Sequence, residues 1–169
     1  MDQSQTSADY PTLDTLFRHN LWANTELFAL CAGLTDEQLD TGIVGAYGTI
    51  RETLVHIAGA EYSYWHRLTT GQPFRRPADA PPQTMAELQT SIRTSGEGLI
   101  AVAPTVKPDD TVEVKWQTDE TTRAIPCSII LTQVINHATE HRAQIMATLT
   151  QLGVQPPDLD AWTYFDTHG

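Results

Sequence analysis

Apolar positions recur at three- and four-residue spacing over four long stretches of this chain, and glycine or proline closes each one. The first predicted helix spans roughly Leu13 to Ala32, with Leu13, Leu16, Phe17, Leu21, Asn24, Leu27, Phe28 and Cys31 on one stripe. Gly33 follows where a left-handed residue would end it. Thr35-Asp36-Glu37-Gln38 then reads as a capping box for a minor helical turn. A second capping box, Thr49-Ile50-Arg51-Glu52, opens a helix through Leu54, Ile57, Ala58, Tyr64, Trp65 and Leu68 to Gly71. Pro73, Pro77, Pro81 and Pro82 make the next connection non-helical.

The third helix starts at Thr84-Met85-Ala86-Glu87 and runs through Leu88, Ile92, Leu99 and Val102 to Pro104. Gly96 and Gly98 inside it each cost about 1 kcal/mol against Ala, which weakens the prediction there. From Thr111 to Ile125 the period changes to two. Val112, Val114 and Trp116 alternate with Glu113, Lys115 and Gln117, and Asp119-Glu120 supplies the turn of a hairpin. The fourth helix begins near Pro126 and Cys127 and runs to Leu152, stopped by Gly153 and Pro156-Pro157. In the tail, Trp162, Tyr164 and Phe165 are expected to pack back on the body. Four long helices and a small β-hairpin before the last of them predict an all-α four-helix bundle.

Length and composition sharpen this picture without changing it. The chain has 169 residues, 40% hydrophobic and 18% charged, which suits one folded domain over residues 11–169 behind a flexible segment 1–10. Ten Lys and Arg against 21 Asp and Glu give a net charge of -11. That balance argues against a nucleic-acid or anionic-membrane partner, since both need a concentrated basic surface. No stretch approaches a membrane-spanning length, and the start lacks the basic and apolar regions of a signal peptide. The two cysteines, Cys31 and Cys127, lie in apolar segments and suit a reducing compartment, so the cytoplasm is the expected location.

The chemistry concentrates in His137-Ala138-Thr139-Glu140-His141. Two histidines at i and i+4 project from one side of a helix, about one turn apart, and can reach a single ion. Both fall within the stripe of Ile130, Val134, Ala138, Ile145 and Leu149 that must face the bundle interior. Buried imidazoles need partners for their ring nitrogens, and a shared cation or separate backbone and water contacts would each supply them. Residue 138 is Ala, so the Glu of a zinc-protease motif is missing. A third ligand must come from His19, His56, His66 or His168. His56 lies mid-helix, yet that helix is apolar nearly all round, and periodicity does not decide whether His56 looks inward.

The run Gln133-Val134-Ile135-Asn136-His137 through His141-Arg142-Ala143-Gln144, with Leu149, Gly153 and Pro156-Pro157-Asp158-Leu159-Asp160 after it, resembles the last helix and tail of the DinB/YfiT-like family. Gly48-Thr49-Ile50, Leu54-Val55-His56-Ile57 and Leu21-Trp22-Ala23-Asn24 resemble its second and first helices, so the likeness covers nearly the whole chain in order. The resemblance implies a four-helix bundle, usually a homodimer, with a divalent metal ion (zinc, nickel or iron) held by His56, His137 and His141. For the dimer contact, the second helix carries the excess apolar surface. Glu52, one turn before His56, and Glu140, beside the other pair, are candidate acceptors for the ligands' outer nitrogens.

Three neutral imidazoles leave the charge of a dication uncompensated and a coordination position open, as catalytic sites do. Characterised relatives look like transferases of low-molecular-weight thiols of the bacillithiol or mycothiol type. The functional expectation is therefore a metal-dependent thiol S-transferase, whose partners are a small thiol and an electrophilic small molecule. The alternatives are a metal-dependent hydrolase using activated water and a non-catalytic metal-binding bundle.

Overall fold

All three capping boxes form. Thr35, Thr49 and Thr84 accept from the backbone N–H three residues on, and the side chains of Gln38, Glu52 and Glu87 accept from the cap residues' own N–H. They open α2 (Asp36–Leu39), α3 (Ile50–Thr70) and α4 (Met85–Val102), while α1 (Pro11–Cys31) precedes them. The chain continues through a 3₁₀ turn, Ala103–Thr105, and strands β1 (Thr111–Lys115) and β2 (Thr122–Pro126) to α5 (Cys127–Gln151) and α6 (Ala161–His168). The computed structural model describes residues 11–115 and 121–169. The expected flexible start, Trp116 and the Asp119-Glu120 turn lie outside the described residues.

The architecture is the predicted bundle with a two-stranded antiparallel hairpin before the last long helix. α1 and α3 each pack against both α4 and α5, so the first and second predicted helices stand on opposite corners. The hairpin registers Val112 opposite Ile125 and Val114 opposite Arg123. Val112 is buried with Cys127 and Ile130 under it, and the Arg67 guanidinium donates to the Glu113 carbonyl at 2.8 Å, fastening the hairpin to α3. One core cluster joins Leu27, Phe28, Ile57, Ile92, Ile145 and Leu149, all essentially fully buried. Burying each such side chain favours folding by roughly 1.5–3 kcal/mol.

Three local expectations are corrected. Gly33 does not take a left-handed backbone: α1 closes through Gly33 N–H to Leu30 and Leu34 N–H to Cys31, and the left-handed closures belong to Gly71 (φ 72°) and Gly153 (φ 73°). Leu16, placed on the buried stripe, is 43% exposed because that stripe narrows toward the start of α1. Of the three tail aromatics, only Tyr164 docks, with its ring 5.4 Å from Trp22, whereas Trp162 and Phe165 are 79% and 64% exposed. An eight-residue helix can turn only one side to the bundle, so three aromatics at 162, 164 and 165 cannot all pack.

At the centre, five buried polar side chains interrupt the four apolar stripes at one level. Glu61 of α3 accepts from the Asn20 and Asn24 amides of α1 at 3.0 and 2.8 Å and from the Ser95 hydroxyl of α4 at 2.9 Å. Arg142 of α5 donates to the Asn20 and Asn24 amide oxygens at 2.7 and 2.8 Å, and to Thr139 at 3.0 Å. The two asparagines thus stand between a carboxyl and a guanidinium that do not touch directly. Unsatisfied polar groups are costly in a core, and this mutual satisfaction fixes the helix register.

Candidate metal centre

His137 and His141 stand one turn apart on α5 because the i, i+4 spacing puts them on one face, and α3 packs against that face. The α3 residue that meets them is His56. One ring nitrogen from each of His56, His137 and His141 lies within 4.8 Å of the others. The ring centroids stand 4.7, 4.8 and 4.5 Å apart for the 56–137, 56–141 and 137–141 pairs. The Nε2 atoms of His137 and His56 are 2.9 Å apart, a hydrogen bond in which one ring keeps its proton and the other accepts. Two nitrogens on one zinc ion would be about 3.3 Å apart at a zinc–nitrogen distance of about 2.05 Å, so a small separation of these rings admits the ion.

Burial holds the His137 imidazole down to about 4, helped by repulsion from His141 and His56. Burial, then repulsion from His141, likewise lowers His56. Unprotonated imidazoles are the form a metal ion requires. The donor set therefore fits a divalent cation, and the three histidines could hold one.

The hydrogen bond that orients a ligand comes from Gln144, which the sequence marks only as part of the run resembling the family's last helix. The Nδ1–H of His141 donates to Gln144 Oε1 at 2.9 Å, which leaves Nε2 with its lone pair. The same oxygen accepts from the backbone N–H of Tyr47 at 3.1 Å. Gln144 lies seven residues after His137 on the same stripe, and that spacing was the available signal. Tyr47 is brought in by the α2–α3 loop, with its ring stacked on His56 at 4.0 Å and 16° and edge-on to His141 at 5.3 Å. Nothing in a periodic pattern points to such a loop residue. Of the two candidate carboxylates, Glu52 gives Oε2 to the Thr49 N–H as its capping bond, and Glu140 is exposed.

The remaining histidines are elsewhere. His19 Nε2 meets the Leu159 carbonyl at 2.9 Å beside Trp22 and Tyr164, and His168 stacks on Tyr164. His66 Nδ1 meets the Gln72 carbonyl at 2.9 Å just past the end of α3. Arg142, part of the run that resembles the family's last helix, belongs to the central polar network. Outside the histidines opens a cleft of about 530 Å³ lined by Tyr47, Arg51, Glu52, Val55 and His56. Arg51 there is tied to Asp40 and Asp36 at 2.6 and 2.7 Å. A separate apolar cavity of about 450 Å³, between the start of α1 and the first half of α5, contains none of the three histidines. Cys31 and Cys127 are free and buried, and burial pushes the Cys31 thiol up to about 12, so neither is built as a nucleophile. No described helix is long and apolar enough to cross a membrane.

Known proteins agree with this architecture. Over 149 residues the chain is 29% identical to YizA of Bacillus subtilis, a protein described as uncharacterised, covering 83% of this chain and 87% of that one. A crystal structure of a DinB-like protein from Bacillus cereus superposes with a TM-score of 0.62 at 19% identity, covering 92% of this chain and 99% of that one. At that identity the likeness is one of fold. The model of the DinB family matches residues 1–168, and the chain with its bundle and clustered histidines belongs to that family.

Proposed function

We propose that His56, His137 and His141 hold a divalent metal ion, zinc or nickel before iron, and that the protein is a transferase acting on a low-molecular-weight thiol. The observation that carries the reading is the convergence of three imidazoles, two of them held below their ordinary pKa, with one of the three, His56, lining an open cleft. With three neutral ligands, a bound ion keeps its full charge and would supply Lewis acidity, favouring the thiolate over the thiol. The chain's own residues do the rest. Gln144 fixes the His141 ring, Tyr47 walls the site on the His56 side, and the cleft leaves room for the thiol and an electrophile. No side-chain nucleophile is needed, in keeping with two buried, unactivated cysteines. The same cleft also admits water, so a metal-dependent hydrolase is the second reading. The proposal includes a cytoplasmic location and the homodimer implied by the family resemblance, for which Val55 of α3 offers exposed apolar surface at 40%.

The test is turnover of a chromogenic electrophile by the zinc- or nickel-loaded protein, with and without a small thiol. Turnover that needs the thiol and is lost in His137→Ala and His141→Ala, with helical circular dichroism intact, is the expected result. Turnover without thiol, rising through about pH 7, assigns the hydrolase instead.

A further inference from the structure

The α2–α3 loop, residues 40–49, is built unlike the other connections. Its base is closed tightly. Gly42 and Thr49 form an antiparallel bridge, the Ile50 N–H donates to the Thr41 carbonyl at 3.0 Å, and a Cβ on Gly42 would sit 2.9 Å from the Gly48 carbonyl oxygen. Its tip is exposed by comparison. Val44 is fully exposed, Gly45 takes a left-handed φ of 92°, and Ala46 N–H closes a turn onto Ile43. Between base and tip, Tyr47 lays one ring face on His56 while remaining 55% exposed. Its ring therefore covers one face of His56 at the edge of the cleft that both residues line. The backbone of Tyr47 is fastened to α5 by the amide oxygen that also orients His141.

We infer that this loop is a lid over the histidine cluster, hinged at the Gly42–Thr49 bridge and latched at Gln144, and that Tyr47 is the positioning residue that gates access to the metal. The inference rests on the metal-centre reading above. Closed, the Tyr47 ring covers the face of His56 and excludes water from that side of the cluster. Opening breaks one hydrogen bond, the stack on His56 and the edge contact with His141. It leaves the His141–Gln144 bond in place, because Oε1 accepts from each donor separately. A ligand in the cleft meets Tyr47 beside His56, and the stacked face of that imidazole stays covered until the ring moves. Lids of this kind move about a few backbone positions beside a fixed base, here the Gly42–Thr49 bridge.

The experiment uses the full chain with Tyr47→Ala, Tyr47→Phe and Gln144→Leu, in two readouts. In metal-free protein, diethyl pyrocarbonate labelling of His56 is followed by peptide mass spectrometry, with His66 as internal control. In zinc-loaded protein, release of the ion to a chromophoric chelator is timed. Tyr47→Ala is expected to label His56 several-fold faster and to release zinc about tenfold faster, the lower end of what lost outer contacts cost a metal site. Tyr47→Phe keeps the ring and should restore wild-type values in both. Gln144→Leu frees the latch and should raise both rates. Equal labelling and equal release in Tyr47→Ala and wild type overturn the lid while leaving the metal centre standing. A wild-type chain that takes up no zinc overturns the metal centre, and the gating role with it.

Discussion

Glu61, at the crossing of the four long helices, is the carboxyl furthest from its ordinary chemistry. Burial raises it to about 7 against the partial relief given by Ser95, Asn20, Arg142 and Asn24. Between pH 4.5 and 7 the folded chain keeps a proton on Glu61 that the unfolded chain has released. Its contribution to stability is therefore present at low pH and is lost as pH rises through that window. His137 works in the opposite sense. Between about pH 4 and 6.5 the unfolded imidazole takes up a proton that the folded one refuses, so its contribution is present above that range and is lost as pH falls. The two linkages oppose each other over the same interval. Glu61→Gln separates them: the amide oxygen still accepts from Asn20 and Asn24, and the new N–H₂ donates to Ser95, whose hydroxyl has the Ser91 carbonyl at 3.0 Å. In metal-free protein this variant should gain on the order of 2 kcal/mol at pH 8 and show a steeper loss toward pH 5. Urea midpoints across pH 4.5–8 measure both, and a profile parallel to wild type would show that Glu61 does not titrate there. Glu61 was readable as an anomaly, a carboxylate on the stripe of Leu54, Ile57, Ala58 and Leu68. Its partners were not readable, because they come from three other helices.

At the scale of elements, the sequence was most informative where the physics is local. Capping boxes, the closing glycines at 71 and 153 and the hairpin's alternation depend on residues within a few positions, and each formed. Gly96 and Gly98 were legible only as weaknesses in α4, because their reason is tertiary. A Cβ on Gly96 would meet Leu21 of α1 at 2.6 Å, and one on Gly98 would meet three atoms of the Trp65 indole of α3 at 2.1–2.7 Å. Both glycines thus allow α4 to approach its two neighbours. Gly98→Ala therefore sets a helix-propensity gain of about 1 kcal/mol against overpacking of about 1–3 kcal/mol, and it should destabilise on balance. Gly59 is the internal control. It is exposed in the middle of α3 with nothing within 4 Å of an added Cβ, so Gly59→Ala should stabilise by about 1 kcal/mol. Thermal or urea unfolding of the pair reads the two signs directly, and a stabilised Gly98→Ala would mean that Trp65 moves aside freely.

For the molecule as a whole, the consequence of the site is mechanical as well as chemical. His56 belongs to α3 and the other two ligands to α5, so a shared ion would tie together two packed helices that are far apart in sequence. The HxxxH pair was visible on one helix, whereas His56 came only through family resemblance, since no single-helix pattern reports which neighbour faces it. An ion that binds the folded chain alone stabilises it by about 2.7 kcal/mol at a hundred times its dissociation constant. For a chain of this size that is a rise in melting temperature of roughly 5–10 °C. His137→Ala should abolish the rise while leaving a folded bundle, because the ring sits between α3 and α5 without filling the main core. The rise should survive at pH 6, where His137 and His56, both held below the free-imidazole range, still offer lone pairs, and vanish toward pH 4 as His137 protonates. Calorimetry with and without zinc at pH 7, 6 and 4.5 follows the whole course. A rise of equal size in His137→Ala would place the ion elsewhere on this acidic surface, and the three-histidine site would then have no claim to it.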